Sequence, residues 1–237
     1  MQKFPIVLLH GWNLSSQSFS PLAKKLSRLG YQVYCPDLPG FGKSLIPDKS
    51  LNLDDYVSFT VNFLDLNKIK KADFICHSFG GRIAIKFSVK FPEKINILVL
   101  SGVPGIPPVP KIKIIFFLLL AKIGKLFFEF PFFSRYKNLS QKILYRLAGA
   151  DDFYHTRQVL RETFQNVVNE KLTAFLEKIS VPTYLIWGKE DKIVPVSIAL
   201  RMNRLISGSK LIIVPFSAHS LPFKNTSQFV KIIRKVL

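Results

Sequence analysis

Short strand-type segments rich in apolar and β-branched residues recur at 4–9, 31–36, 72–77, 96–101, 182–187 and 210–214. Between and after them, apolar positions return every three or four residues near 18–29, 54–66, 80–91, 196–206 and 226–236. The first pattern predicts buried strands and the second amphipathic helices. Strands that alternate with helices are joined by crossovers, so the chain is expected to form an α/β fold with a mostly parallel sheet covered by helices on both faces.

The alternation stops after the fourth strand. Pro104-Gly105-Ile106-Pro107-Pro108-Val109-Pro110 cannot be helical, and the residues after it carry helical periodicity without strands up to about Lys178. Residues 1–103 and 179–237 are therefore expected to form the core, and 104–178 an inserted helical cap. The first half of this insertion is very apolar: Ile114 to Ala121 are uncharged, Lys111, Lys113, Lys122 and Lys125 border them, and Phe127, Phe128, Phe130, Phe132 and Phe133 follow. Such a segment is expected to pack on the core; the alternative is that it lies in a lipid headgroup layer. The second half, about 154–175, reads as an ordinary amphipathic helical stretch.

The chain has 237 residues, 48% of them hydrophobic, enough for one sizeable core. No stretch approaches the roughly 20 apolar residues that span a bilayer. A strand that begins by Phe4 leaves no room for a signal peptide, which predicts a cytoplasmic protein. Lys and Arg number 34 against 15 Asp and Glu, a net charge of +19. Because the lysines are spread over most helical segments and no nucleic-acid-binding motif is present, nucleic acid is not the expected partner. A solvated lysine surface is the simplest reading, with an anionic membrane or an acidic acyl carrier as the alternatives.

The chemistry concentrates at strand ends. Phe74-Ile75-Cys76-His77-Ser78-Phe79-Gly80-Gly81 passes from a strand directly into a glycine-rich helix start. A serine at such a junction is lifted off the sheet only if its second neighbours are small, and here they are Cys76 and Gly80. Ser78 is thus a candidate nucleophile, the competing role being a helix cap. His10-Gly11-Trp12 follows the first strand and supplies a candidate oxyanion loop. Gly188-Lys189-Glu190-Asp191 follows the fifth strand and supplies an acid, and Phe216-Ser217-Ala218-His219 follows the sixth and supplies a base, His219. His10 is expected to hold the oxyanion loop, His77 to line the site without acting as a base, and Asp37 to serve its turn. Asp151, Asp152 and His155 read as a helix start, and no metal-binding arrangement is evident.

The order Ser, Asp, His, each past a strand end, together with Cys35-Pro36-Asp37-Leu38-Pro39-Gly40-Phe41-Gly42-Lys43-Ser44, resembles the serine α/β-hydrolases over nearly the whole chain. His10-Gly11-Trp12 with Leu38-Pro39-Gly40-Phe41-Gly42 is most similar to their small-substrate carboxylesterases. The resemblance implies a shortened sheet of about six strands and Ser78, Asp191 and His219 as the catalytic residues, with Glu190 a solvated neighbour. It implies backbone amides of Trp12 and Phe79 as the oxyanion hole, and neither cofactor nor metal. The expected substrate is a small carboxylic ester of short to medium acyl or aromatic type. Thioesters, lactones, carbon–carbon bonds or a ligand-sensing role on the same scaffold are the alternatives. In the implied topology Cys35 and Cys76 lie two strand spacings apart, about 9–10 Å, too far for a disulfide.

Overall fold

The computed structural model describes residues 3–106 and 158–237. Six strands form one sheet: β1 (Ile6–Leu9), β2 (Val33–Tyr34), β3 (Ala72–His77), β4 (Ile95–Ser101), β5 (Thr183–Gly188) and β6 (Lys210–Val214). Their spatial order is β2-β1-β3-β4-β5-β6, and every neighbouring pair is parallel. Side chains alternate between two cores, as the period of two requires. In β1, Ile6 and Leu8 enter one core while Val7 and Leu9 enter the other, and all four are fully buried.

Helices cover both faces. The Ile6/Leu8 core is closed by α1 (Ser16–Arg28), and by α7 (Leu221–Lys224) and α8 (Thr226–Val236), which contribute Phe19, Leu22, Leu26, Phe229 and Ile233. The Val7/Leu9 core is closed by α2 (Leu53–Leu66), α3 (Phe79–Lys90) and α6 (Val196–Leu205). The chain leaves β1 towards β2 on one side and has β3 on the other, so the strand order reverses at β1. In open parallel sheets the crevice beyond the carboxyl ends at such a reversal is where ligands bind. Ser78, at the end of β3, lies there.

The edge strand β2 is shorter than the 31–36 pattern predicts. Pro36 has no N–H, and pairing with β1 spans Val33 and Tyr34, extended by a bond from the Ile6 amide to the Gln32 carbonyl (2.8 Å). β1 separates β2 from β3, and Cys35 and Cys76 are both free thiols. Burial, with the charge of Asp37, pushes the Cys35 thiol up to about 12; burial also raises that of Cys76.

Within the span 104–178, the described residues contain α4 (Gln158–Asn169) and α5 (Thr173–Leu176). The apolar segment 111–133 and the group Asp151, Asp152 and His155 lie outside the described residues. Both ends of the span are tied to α3 by one buried side chain. The guanidinium of Arg82 donates to the carbonyls of Pro104, Val167 (2.7 Å) and Glu170 (2.6 Å), the latter two at the carboxyl end of α4. A cation there satisfies orphan carbonyls and complements the helix dipole. One turn on, Lys86 bridges Asp54 (2.8 Å) and Glu170 (2.5 Å). Burial alone would lower its pKa, but the two carboxylates outweigh it and the net shift is upward.

Candidate active site

Ser78 sits on a strained turn, with φ 50° and ψ −113°, a conformation rarely adopted by a non-glycine residue. Its neighbours enforce the turn. A Cβ on Gly80 would lie 2.4 Å from the Leu9 carbonyl oxygen, so only glycine lets α3 start this close to β1. The Gly80 amide donates to the His10 carbonyl, and the amide of Ser78 donates to the Ser101 carbonyl, both at 3.0 Å. The Ser78 side chain makes no capping hydrogen bond to α3. Its hydroxyl is therefore not used in holding the helix.

His219 and Asp191 meet across the ends of β5 and β6. His219 Nδ1 donates to Asp191 Oδ2 at 2.8 Å. The other oxygen, Oδ1, accepts the amides of Ile193 (2.9 Å) and Val194 (2.8 Å), so the buried carboxylate is fully engaged and cannot rotate freely. The loop is fixed further by Trp187, whose indole N–H donates to the Val194 carbonyl (2.8 Å). Since Nδ1 holds its proton against Asp191, Nε2 is left as the basic nitrogen of the neutral ring.

His77, the last residue of β3, packs against His219. Its ring centroid is 4.6 Å from that of His219, and its Nδ1 donates to the Ser101 carbonyl at 3.0 Å, the acceptor that also receives the Ser78 amide. Gly102 leaves room for both rings, because a Cβ there would stand 2.9 Å from His219 Cε1 and 3.2 Å from His77 Cε1. No hydrogen bond links Ser78 Oγ to His219 among the described residues. Serine–base contacts in unliganded enzymes are commonly long and tighten with substrate.

The loop after β1 faces Ser78 from the other side. A turn closes with the Leu14 amide on the Gly11 carbonyl (3.2 Å), and Asn13 takes the left-handed conformation (φ 55°). Trp12 occupies that turn, and Phe79 is the first residue of α3, where a helix leaves its amides without intrahelical acceptors. His10 anchors the loop: its Nδ1 donates to the Gly11 carbonyl (2.9 Å) and its Nε2 accepts the Leu38 amide (3.0 Å). Asp37 does more than serve its turn, since Oδ1 accepts the Ser16 amide at the start of α1 and Oδ2 accepts that of Lys43. Although burial raises its pKa, these bonds prevail and hold it below the usual carboxylate range.

Residues 5–152 match the alpha/beta hydrolase fold family. The chain belongs to the α/β-hydrolases. It is 27% identical to a pimeloyl-[acyl-carrier protein] methyl ester esterase of Shewanella woodyi over 95% of this chain and 90% of the relative. It is 23% identical to a 2-hydroxy-6-oxo-2,4-heptadienoate hydrolase of Pseudomonas putida over 98% and 88%. Among solved structures, a bromoperoxidase from Bacillus anthracis superposes with a TM-score of 0.76 at 22% identity, covering 99% of this chain and 92% of that one.

Three features of this hydrolase are not evident in its sequence. Glu190 is not merely a solvated neighbour of Asp191: its carboxylate accepts the Ser217 amide (2.7 Å) and its own amide donates to the Ser217 carbonyl (2.9 Å). The loops that carry Asp191 and His219 are thereby stapled together. Arg82 is the second, and the i, i+4, i+8 spacing of Arg82, Lys86 and Lys90 on α3 is the one signal that could have flagged it. The third is an aromatic wall in which Trp12 contacts Phe41, Phe79 and Phe164, with ring centroids 4.8, 5.2 and 5.0 Å away. Phe164 comes from α4, more than 80 residues from the others. Among the described residues no group of His, Cys, Asp or Glu is arranged to hold a metal ion, and no helix is long and apolar enough to cross a membrane.

Burial, reinforced by the nearby His219, pushes His77 down to about 3, and burial also lowers His10. An unfolded histidine titrates near 6.5, so below that pH the unfolded chain binds more protons than the native one. Stability is then complete above about pH 6.5 and lost as pH falls towards 3. Urea midpoints measured from pH 7 to 5 should decline, and His77→Gln should flatten the decline by up to about 1.4 kcal/mol per pH unit. An unchanged slope in His77→Gln would show that His77 is not the group being protonated.

Proposed function

We propose that the protein is a serine carboxylesterase that cleaves small esters of short to medium acyl or aromatic type through an acyl-enzyme intermediate. The observation that carries this reading is the His219–Asp191 hydrogen bond of 2.8 Å beside a serine whose hydroxyl is not spent on capping. In the proposed mechanism Ser78 Oγ attacks the ester carbonyl while His219 Nε2 takes its proton. Asp191 holds the imidazole in the productive tautomer and stabilises the imidazolium. The tetrahedral oxyanion is held by the amides of Trp12 and Phe79. Collapse expels the alcohol, which receives the proton from His219; water then repeats the sequence and frees Ser78. A cytoplasmic setting fits the two unpaired cysteines.

The relatives include a carbon–carbon bond hydrolase of a dienoate as well as a methyl ester esterase. The aromatic wall supports the ester reading. Trp12, Phe41, Phe79 and Phe164 suit a neutral acyl chain, whereas an anionic dienoate calls for a cation. Arg82, in the helix that starts at Ser78, is committed to the carbonyls of Pro104, Val167 and Glu170. Purified protein should turn over p-nitrophenyl butyrate or methyl benzoate at least about a hundredfold more efficiently than 2-hydroxy-6-oxo-2,4-heptadienoate, a difference of nearly 3 kcal/mol in transition-state binding. The reverse ratio would make it a carbon–carbon hydrolase. Failure of a fluorophosphonate to label Ser78 would instead leave a ligand-sensing protein on a hydrolase scaffold.

A further inference from the structure

All acidic residues of the chain lie between Asp37 and Asp191; residues 1–36 and 192–237 contain none. The fold brings these two acid-free segments together, because α1 packs beside α7 and α8 over one face of the sheet. Their apolar positions point inward, which leaves their cations outside. On α1, Lys24 and Arg28 are exposed and Lys25 is half-buried; on α7 and α8, Lys224, Lys231, Arg234 and Lys235 are exposed. Among the described residues, the lysine–carboxylate pairs involve Lys86, Lys90 and Lys94, all on or after α3 against the opposite side of the sheet. Among the described residues, none of these cations on the α1/α7/α8 face has such a counter-charge.

The loop that leads into this face carries an exposed apolar side chain. Phe216 is 91% exposed and has a left-handed backbone, φ 53°, which is strained for a bulky residue. It is held there by the staple between Glu190 and Ser217 and by the bond from the Lys189 amide to the Val214 carbonyl. On the adjoining loop Ile193 is 72% exposed, and Lys189 and Lys192 beside it are exposed too. Strain that holds a phenylalanine out in water gains nothing within the monomer. It gains apolar burial if a partner with an apolar layer lies against the loop.

We propose that the α1/α7/α8 face, together with Phe216 on the loop that leads into α7 and Ile193 on the loop stapled beside it, docks on an anionic lipid bilayer. A bilayer presents a flat field of negative charge with hydrocarbon just beneath it, which matches a broad cationic face with two apolar tips. A nucleic acid supplies the phosphates but no apolar layer for the tips. The inference stands apart from the esterase reading, since it concerns where the protein sits and not the bond it cleaves.

The test is flotation of the full chain with phosphatidylcholine vesicles, with and without phosphatidylglycerol. At low salt the protein should float only with the anionic vesicles, and at about 1 M salt, where the screening length is near 3 Å, it should be released. Each cation near an anionic surface strengthens binding about fivefold, so combined Lys231→Glu, Arg234→Glu and Lys235→Glu should lower affinity by at least about a hundredfold. Hydrolysis of a small neutral ester without lipid should be unchanged in this variant, which also reports that it folds. Phe216→Ser should weaken vesicle binding while leaving its salt dependence intact. Absence of flotation with anionic vesicles at low salt, or equal flotation of the charge-reversed variant, would overturn the proposal. Tighter binding to duplex DNA or to an acidic carrier protein than to the vesicles would overturn lipid as the partner, as would undiminished vesicle binding by Phe216→Ser.

Discussion

Replacing Ser78 or His219 by alanine is expected to lower turnover of p-nitrophenyl butyrate by about 10⁶-fold, leaving only what the oxyanion amides and binding contribute. The two losses should not add. Serine and base act as one unit, so the double variant should be no slower than either single one. Circular dichroism should be unchanged, because the Ser78 hydroxyl makes no capping bond and the elbow is held by the Gly80–His10 and Ser78–Ser101 backbone bonds. Turnover within tenfold of the native protein in a correctly folded Ser78→Ala variant would remove Ser78 from the chemistry.

The second large effect separates the two loop acids. In Asp191→Asn the amides of Ile193 and Val194 retain the side-chain oxygen on their side, since only an oxygen can accept them. The amide NH₂ is then turned towards His219 Nδ1. That contact favours the tautomer protonated on Nε2, which cannot take the serine proton, and turnover should fall about 10⁴-fold. Glu190→Gln should stay close to native activity, because a glutamine oxygen can still accept the Ser217 amide. Glu190→Ala leaves that amide without its partner and frees the His219 loop, a loss of roughly tenfold to a hundredfold, in line with 1–3 kcal/mol for an orphaned donor. Kinetics of the three variants on one ester decide the matter: an inactive Glu190→Gln beside an active Asp191→Asn would exchange the roles of the two residues.

Much of this was legible in the sequence because it depends on local rules. The alternation of buried strands and amphipathic helices requires crossovers, and crossovers require a parallel sheet. A serine flanked at two positions by small residues implies a sharp turn, and in the structure Gly80 has no space for a Cβ. Asp191 and His219 could be nominated because parallel strands bring their carboxyl ends, and the loops after them, to one edge of the sheet, and because the resemblance to the serine α/β-hydrolases picks Asp191 over Glu190. The hydrogen bond between them was not in the sequence. It depends on the pairing of β5 with β6 and on how the two loops are stapled.

What only the tertiary structure decided is what joins residues far apart in the chain. Glu190 reads as a solvated loop acid until Ser217 is seen to donate to it, and Arg82 stands apart from the other cations only once its guanidinium is found buried against three carbonyls from 104, 167 and 170. The aromatic wall needs Phe164 brought from α4 to Trp12, both on the same side of the sheet. Charge shows the same division. The absence of acids from 1–36 and 192–237 is a property of the sequence, but it becomes a continuous cationic face only because α1 and α8 pack side by side. Periodicity fixes which way a side chain points within its own element; which distant element it meets there is set by packing of the whole chain.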